Sequence, residues 1–296
     1  MNSFKEKLSE YISFTESNLK AYNSHSPEMM AQKNLIDAMY YSLEAGGKRI
    51  RPVLVYAFCN ALGGDYKNAA APAAAIEMIH TFSLIHDDLP AMDNDDYRRG
   101  KPSCHKAFGE AMAILAGDAL SVLPFEIIAD DDRLDAGRKL NIISCLAKAV
   151  GREGMIGGQV IDMENETKTD VDEANLRNMY RHKTGQLIAV SCMIGCICAG
   201  ADGDRIKAAA DYGFRLGLAF QIIDDILDVT STTEELGKPV GSDEEENKTT
   251  FVTLYGVERA QEIANAVTNE ALAYLDKFGN DAFLTELTEM LLKRKN

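Results

Sequence analysis

The stretch FRLGLAFQIIDDILDV, Phe214 to Val229, reads as one helix with two unlike faces. Leu218, Ile222, Ile226 and Val229 recur at three- and four-residue spacing and form an apolar stripe. At about 100° per residue, Asp224 and Asp228 fall within ~40° of one another. The same face runs back through Gln221 and Gly217 to Gly213, so it is small and polar. Carboxylates on the wall of an otherwise apolar helix are costly to bury unpaired, so this face calls for a cation or a hydrogen-bonding partner.

The same helical spacing extends outward. No proline interrupts the chain between Pro124 and Pro239, and Leu140, Ile143, Leu146/Ala147 and Val150 form another stripe. Strand-like alternation is scarce, and there is no Asn-Gly or Asp-Gly hairpin signal. Helix breaks are expected at Gly46-Gly47, Gly63-Gly64, Arg99 to Pro102, Asn165 to Asp170, Gly200 to Asp204 and Leu236 to Asn247. The reading is one all-α domain over residues 1–296, a helical bundle of roughly ten or more helices with a single core.

Charge narrows the function. The chain has 46 acidic against 31 basic residues, a formal net charge of −15. That disfavours nonspecific nucleic-acid binding and docking on anionic membranes, but leaves room for an anionic ligand held by local cations. The first 20 residues contain no apolar run of the kind that opens a signal peptide, so a cytoplasmic location with reduced thiols is expected for the six cysteines. Cys192, Cys196 and Cys198 lie in a small apolar run without histidine, which reads as core packing rather than a metal site. That run, Leu187 to Ala201, is shorter than the ~20 residues a membrane span needs, so no membrane span is expected.

A second acidic motif precedes the first in the chain. His86-Asp87-Asp88-Leu89-Pro90-Ala91-Met92-Asp93-Asn94-Asp95-Asp96 packs five carboxylates into ten residues after an apolar helix that Pro90 should end. Either motif alone suits a solvated helix end. Two of them suit a hard cation such as magnesium, which takes one or two carboxylates plus substrate phosphates. Basic clusters lie beside both: Lys48, Arg49 and Arg51 at a helix start, then Arg98, Arg99 and Lys101, then Arg181 and Lys183, then Lys238 and Lys248. Arginine forks and lysine point charges are the usual partners of phosphate oxygens. His80 lies two helical turns before Asp87, either aimed at a ligand or hydrogen-bonded in the core.

The segments GGKRIRP, SLIHDDLPAMDNDDYRRGKPS, AFGEAMAILAGDAL, GGQVIDM, HKTGQLI, FQIIDDILD and GKPVGSD…NKTT occur in the order seen in the short-chain trans-prenyl diphosphate synthases. The chain resembles that family, most closely its bacterial farnesyl type, over more than two thirds of its length. The resemblance implies an isoprenoid synthase fold, a helical bundle around a deep central cavity with the two acidic motifs facing across its mouth, and a homodimer. It implies head-to-tail condensation of isopentenyl diphosphate with allylic diphosphates, with several magnesium ions as cofactor and manganese as a substitute. Asp87, Asp88, Asp93 and Asp224 would hold metal, with Asp225 and Asp228 in support. Arg98, Lys183, Thr184, Gln221, Lys238 and Lys248 would bind the allylic diphosphate, and Lys48, Arg51, His80 and Arg99 the isopentenyl diphosphate. The acidic linker Ser242 to Asn247 departs from the family pattern, as does Phe251-Val252 after Thr250.

Three rival readings share parts of this pattern. A terpene cyclase usually lacks the second acidic motif, and a noncatalytic regulatory subunit typically loses one; both motifs are intact here. A geranylgeranyl or geranyl synthase differs only at the cavity floor. The family places a bulky residue five positions before the first Asp to close that floor, and here it is Phe82, followed by Ser83. With the inserted Pro90-Ala91, this resembles a fifteen-carbon enzyme. Phe82→Ala should therefore release longer chains, read by chromatography of the dephosphorylated products.

Overall fold

The computed structural model describes residues 3–24, 27–168, 170–231 and 248–292. Lys238 and the acidic run Ser242 to Asn247 lie outside the described residues. The α-helices are α1 (Phe4–Tyr22), α2 (Lys33–Leu43), α3 (Ile50–Ala61), α4 (Ala70–Asp87), α5 (Cys104–Phe108), α6 (Glu110–Ala129), α7 (Ala136–Val150), α8 (Met155–Asn165), α9 (Glu173–Tyr180), α10 (Gln186–Ala199), α11 (Gly203–Thr230), α12 (Phe251–Tyr274, broken at Gly256) and α13 (Ala282–Leu292). A π-helical turn, Arg181–Gly185, joins α9 to α10. The only strands among the described residues are β1 (Tyr97–Arg98) and β2 (Lys101–Pro102), an antiparallel pair.

Two compact units emerge from the contacts: Met1–Tyr56 with Asp65–Ile143, and Ala57–Gly64 with Ser144–Asn296. In the first, α4 packs along α6, with α1 and α2 against it. Ala70, Ala71, Ala73, Ala74 and Ala75 make the first turns of α4 thin, and at its far end His86 lies over Gly117 of α6, where a Cβ would come 2.1 Å from His86 Nε2. Tyr11, Phe14, Tyr56 and Tyr66 form a ring cluster with centroids 4.9–5.6 Å apart. Such pairs add about 0.5–1.5 kcal/mol each beyond their buried area. Helix α4 ends at Asp87, two residues before Leu89, where the ring of Pro90 disfavours helical conformation.

In the second unit α11 packs between α10 and α12. Its start is capped by Asp202, whose side chain accepts from Arg205 N at 2.9 Å, and Thr250 caps α12 in the same way. The stripe read from Phe214 to Val229 is partly right: Ile222 and Ile226 are buried and Leu218 half-buried, but Val229, at the helix end, is 56% exposed. On α7 the buried residues are Ile142, Leu146, Ala149 and Val150, while Leu140 is exposed. Ile142 and Leu146 keep helical spacing as well as Leu140 and Ile143 do, so periodicity alone leaves the phase open by a residue or two. Cys192, Cys196 and Cys198 are buried in α10, and burial pushes the Cys196 thiol up to about 12.

Two features escaped the sequence reading. The hairpin turns on Arg99 and Gly100, both with positive φ (53° and 76°), so an arginine fills a position usually signalled by Asn or Asp. Two helices also bear on the membrane expectation. Glu110–Ala129 and the continuous run Glu173–Ala199 are long and apolar enough to cross a membrane by length and composition, although the second is 67% buried inside the protein. The 15-residue estimate missed the second because the π turn lets α9 and α10 run on as one rod.

Backbone approaches lock the second unit. A Cβ on Gly213 would lie 2.4 Å from Ala189 Cα, and one on Gly217 2.8 Å from Gly185 Cα. A Cβ on Gly158 would lie 2.2 Å from the Lys183 nitrogen, a backbone atom that cannot swing aside. Gly158→Ala should lower stability by about 1–3 kcal/mol, measured as a reduced urea midpoint at unchanged slope.

Candidate active site

The first unit gathers most of the residues expected to hold metal and isopentenyl diphosphate. Asp87 closes α4, and Asp88 caps it. The loop then folds back, with Asn94 N on Leu89 O at 3.1 Å and Asp93 N on Asp87 O at 2.8 Å. Asp93 thus returns beside Asp87 despite the five intervening residues. Asp88 is buried, and Arg98 Nε donates to its Oδ1 at 2.9 Å; Arg98 Nη2 reaches both Asp88 and Asp95. Desolvation raises the Asp88 carboxyl, Arg98 pulls it back, and Asp95 and Asp93 raise it again. In this state the expected phosphate ligand Arg98 is clamped on carboxylates.

Above α4 the turn Gly46 to Arg49 carries the basic cluster. Arg99 Nη1 donates to the Gly46 carbonyl, and its guanidinium lies across Gly47, whose φ of +127° favours glycine. Arg51 is half-buried, with an Nε that has no hydrogen-bond partner, and burial pushes its pKa down to about 10 against the opposing pull of Glu77. Lys48 is exposed. Arg49, counted with these cations in the sequence, points inward instead: Nη1 meets Glu77 Oε1 at 2.8 Å, and both side chains are 2% exposed. His80 is held well below its ordinary pKa, first by desolvation and then by Arg51, Arg99, Arg49 and Arg98. The choice left open by the sequence narrows to a neutral imidazole among cations.

Phe82 is buried, and its ring stands T-shaped to the His86 ring with centroids 5.8 Å apart. His86 Nε2 lies 3.1 Å from the Ile114 carbonyl. The Ser83 hydroxyl donates to the His80 carbonyl at 2.9 Å within α4.

The second unit holds a cavity of about 170 Å³ that brings together Lys183, Gln221, Asp225 and Lys248, with Tyr180 and Thr250. Thr184 Oγ1 donates to Gln221 Oε1 at 3.2 Å, which ties the π turn to α11. Asp225 accepts from Tyr180 Oη at 2.8 Å and from Phe251 N at 3.2 Å, so this carboxylate anchors α9 and the start of α12. Asp228 is buried as well, whereas Asp224 is half-exposed and outside the cavity lining. Two partners went unassigned in the sequence: Glu77, and Asp162, which pairs with Lys183. The approach of α8 to the π turn, not a sequence signal, places Asp162. It stands four residues after Gly158, on the same face of α8, and Gly158 already touches the Lys183 backbone.

No three His, Cys, Asp or Glu side chains among the described residues form a ready-made metal cage. The donors at Asp87 and Asp93 in the first unit, and at Asp224 in the second, are hard carboxylate oxygens at least partly open to solvent, and within each unit they fit a divalent ion completed by water and substrate phosphate.

Each unit gathers carboxylates and cations of the kind that hold diphosphates and their metal ions, and comparison with known proteins specifies the class. The polyprenyl synthetase family model matches residues 32–290. A farnesyl diphosphate synthase of Geobacillus stearothermophilus is 52% identical over 227 residues, 76% of each chain. A geranylgeranyl diphosphate synthase of Cyanophora paradoxa is 44% identical over 264 residues, 88% of each chain. The crystal structure of an FPP/GFPP synthase from Zymomonas mobilis superposes with a TM-score of 0.85 at 35% identity, covering 97% of each chain. The chain belongs to the polyprenyl synthetase family and has the all-α isoprenoid synthase fold. It is a prenyltransferase of isoprenoid biosynthesis acting on isoprenoid diphosphates, in a family that uses a divalent metal.

The depressed His80 has a consequence for stability. Below its ordinary pKa of 6.5 the unfolded chain takes up a proton that the folded state refuses, so stability falls as pH drops through that range. Thermal melts between pH 8 and pH 5.5 should show a steeper loss for the wild type than for His80→Asn.

Proposed function

We propose that this enzyme makes farnesyl diphosphate, adding isopentenyl diphosphate first to dimethylallyl and then to geranyl diphosphate. The observation that carries the chain length is Phe82, buried, braced by His86 and five positions before Asp87. The relatives include both farnesyl and geranylgeranyl synthases, so the floor residue is what favours fifteen carbons.

In the proposed reaction the allylic C1–O bond breaks and its electron pair leaves with the diphosphate. The isopentenyl double bond attacks the allylic cation through C4, and a C2 proton passes to the departed diphosphate. A divalent metal, proposed as magnesium with manganese able to replace it, would supply charge neutralisation at the leaving group. Asp87, Asp88, Asp93 and Asp224 would hold it, with Asp225 and Asp228 keeping the second motif in place. Arg98, Lys183, Lys238 and Lys248 stabilise the leaving diphosphate, and Thr184 with Gln221 orients it. Lys48, Arg51 and Arg99 hold the second diphosphate beside a neutral His80. Arg98 and Lys183 stand on Asp88 and Asp162 in the structure, so substrate binding exchanges those carboxylates for phosphate oxygens. A cytoplasmic homodimer of one domain over residues 1–296 completes the proposal.

The test incubates purified protein with magnesium, isopentenyl diphosphate and either dimethylallyl or geranyl diphosphate, then chromatographs the dephosphorylated alcohols. Farnesol is expected as the main product, and EDTA should abolish it. Geranylgeraniol as the main product would replace the chain-length proposal, and the absence of any elongated alcohol would overturn the activity, leaving a regulatory subunit.

A further inference from the structure

Glu77 is a carboxylate in the wrong company. It lies in α4 among Ala73, Ala74, Ala75, Ile76 and Met78, all buried, and is itself 2% exposed. A charge in that setting persists only with a well-placed partner. Its partner is Arg49, also 2% exposed, at 2.8 Å. The other arm of the same guanidinium, Nη2, donates to the Leu43 carbonyl at 2.5 Å, at the end of α2. One side chain thus fastens α2, α4 and the start of α3.

The backbone at Arg49 needs such a fastening. Its φ is +50°, a left-handed conformation that L-residues with a side chain adopt at a cost, and it follows Gly46 and Gly47 at +87° and +127°. Val53 N bonds the Arg49 carbonyl at 3.0 Å, so Arg49 is the residue from which α3 springs. Lys48 immediately precedes it, Arg51 sits in the first turn that follows, and Arg99 rests on Gly46 and Gly47. Three of the four groups assigned to isopentenyl diphosphate therefore take their direction from this turn, and the fourth, His80, stands one helical turn after Glu77 on α4.

Charge points the same way. Arg51 and Arg99 are depressed by desolvation and by other arginines, and Glu77 is the first group that opposes this in each. An apolar pair could replace a buried ion pair without loss of stability. It could supply neither the left-handed turn nor the counter-charge.

We propose that Glu77, acting through Arg49, is a positioning residue that aims Lys48, Arg51 and Arg99 at isopentenyl diphosphate. The inference rests on the assignment of that pocket under the proposed function. Steady-state kinetics on the full-length enzyme would compare Glu77→Gln, Glu77→Asp and the apolar double variant Arg49→Met/Glu77→Leu. Glu77→Gln should raise KM for isopentenyl diphosphate by about tenfold or more, with KM for geranyl diphosphate changed by less than about threefold. Glu77→Asp should recover part of the loss. The double variant should melt near the wild type yet keep the raised KM, an outcome that a purely structural pair does not produce. Equal rises in both KM values, or normal KM in the double variant, would overturn the proposal. Calorimetry with isopentenyl diphosphate alone separates the two levels. A wild type that binds as Glu77→Gln does refutes the role of Glu77, whereas a wild type that does not bind refutes the pocket and this role with it.

Discussion

Burying a carboxylate in a helical wall costs several kcal/mol unless a donor meets it. Glu77, Asp88 and Asp225 are all buried, and each meets a donor carried by another element: Arg49 before α3, Arg98 on β1, and Tyr180 on α9 with the Phe251 amide of α12. These partners hold the turn before α3, the hairpin and the start of α12 in place. The acidity of the chain is therefore organised, in part, as a set of internal fasteners beside the carboxylates that stay partly exposed.

Small residues do the complementary work. Gly213 and Gly217 let α11 approach α10 and the π turn to backbone contact, and Gly158 lets α8 touch the same turn. The π turn widens the helix where Lys183 and Thr184 must leave it, and such bulges are often found at functional sites. Close approach also fixes partner choice, since Asp162 and Gln221 reach Lys183 and Thr184 only because the intervening backbone has no side chain.

Much of the fold was legible because its signals are local. The breaks at Gly46-Gly47, Asn165 to Asp170 and Gly200 to Asp204, the helix end before Pro90 and the helix start around Pro52 follow from glycine freedom and proline sterics. Lys183, Gln221, Asp225 and Lys248, drawn from separate motifs, line one cavity of the second unit. The misses have one kind of cause. The stripe of α7 held at Leu146 and Val150 but not at Leu140, because neighbouring residues share nearly the same helical spacing. The hairpin was missed because Arg99 adopts a left-handed conformation that its own side chain does not announce. Arg49 resembled its exposed neighbour Lys48 in type, yet points the other way.

By itself the sequence determined the helical class, the positions of most helix ends, the stock of carboxylates and cations, and the family. Tertiary structure alone decided which charges the protein uses on itself and which it leaves for a ligand. Arg49 meets Glu77 across 28 residues, Lys183 meets Asp162 across 21, and Tyr180 meets Asp225 across 45. No local rule of spacing reaches that far. A side chain's charge is written in its residue type, whereas its partner and its burial depend on which helices come to lie against it.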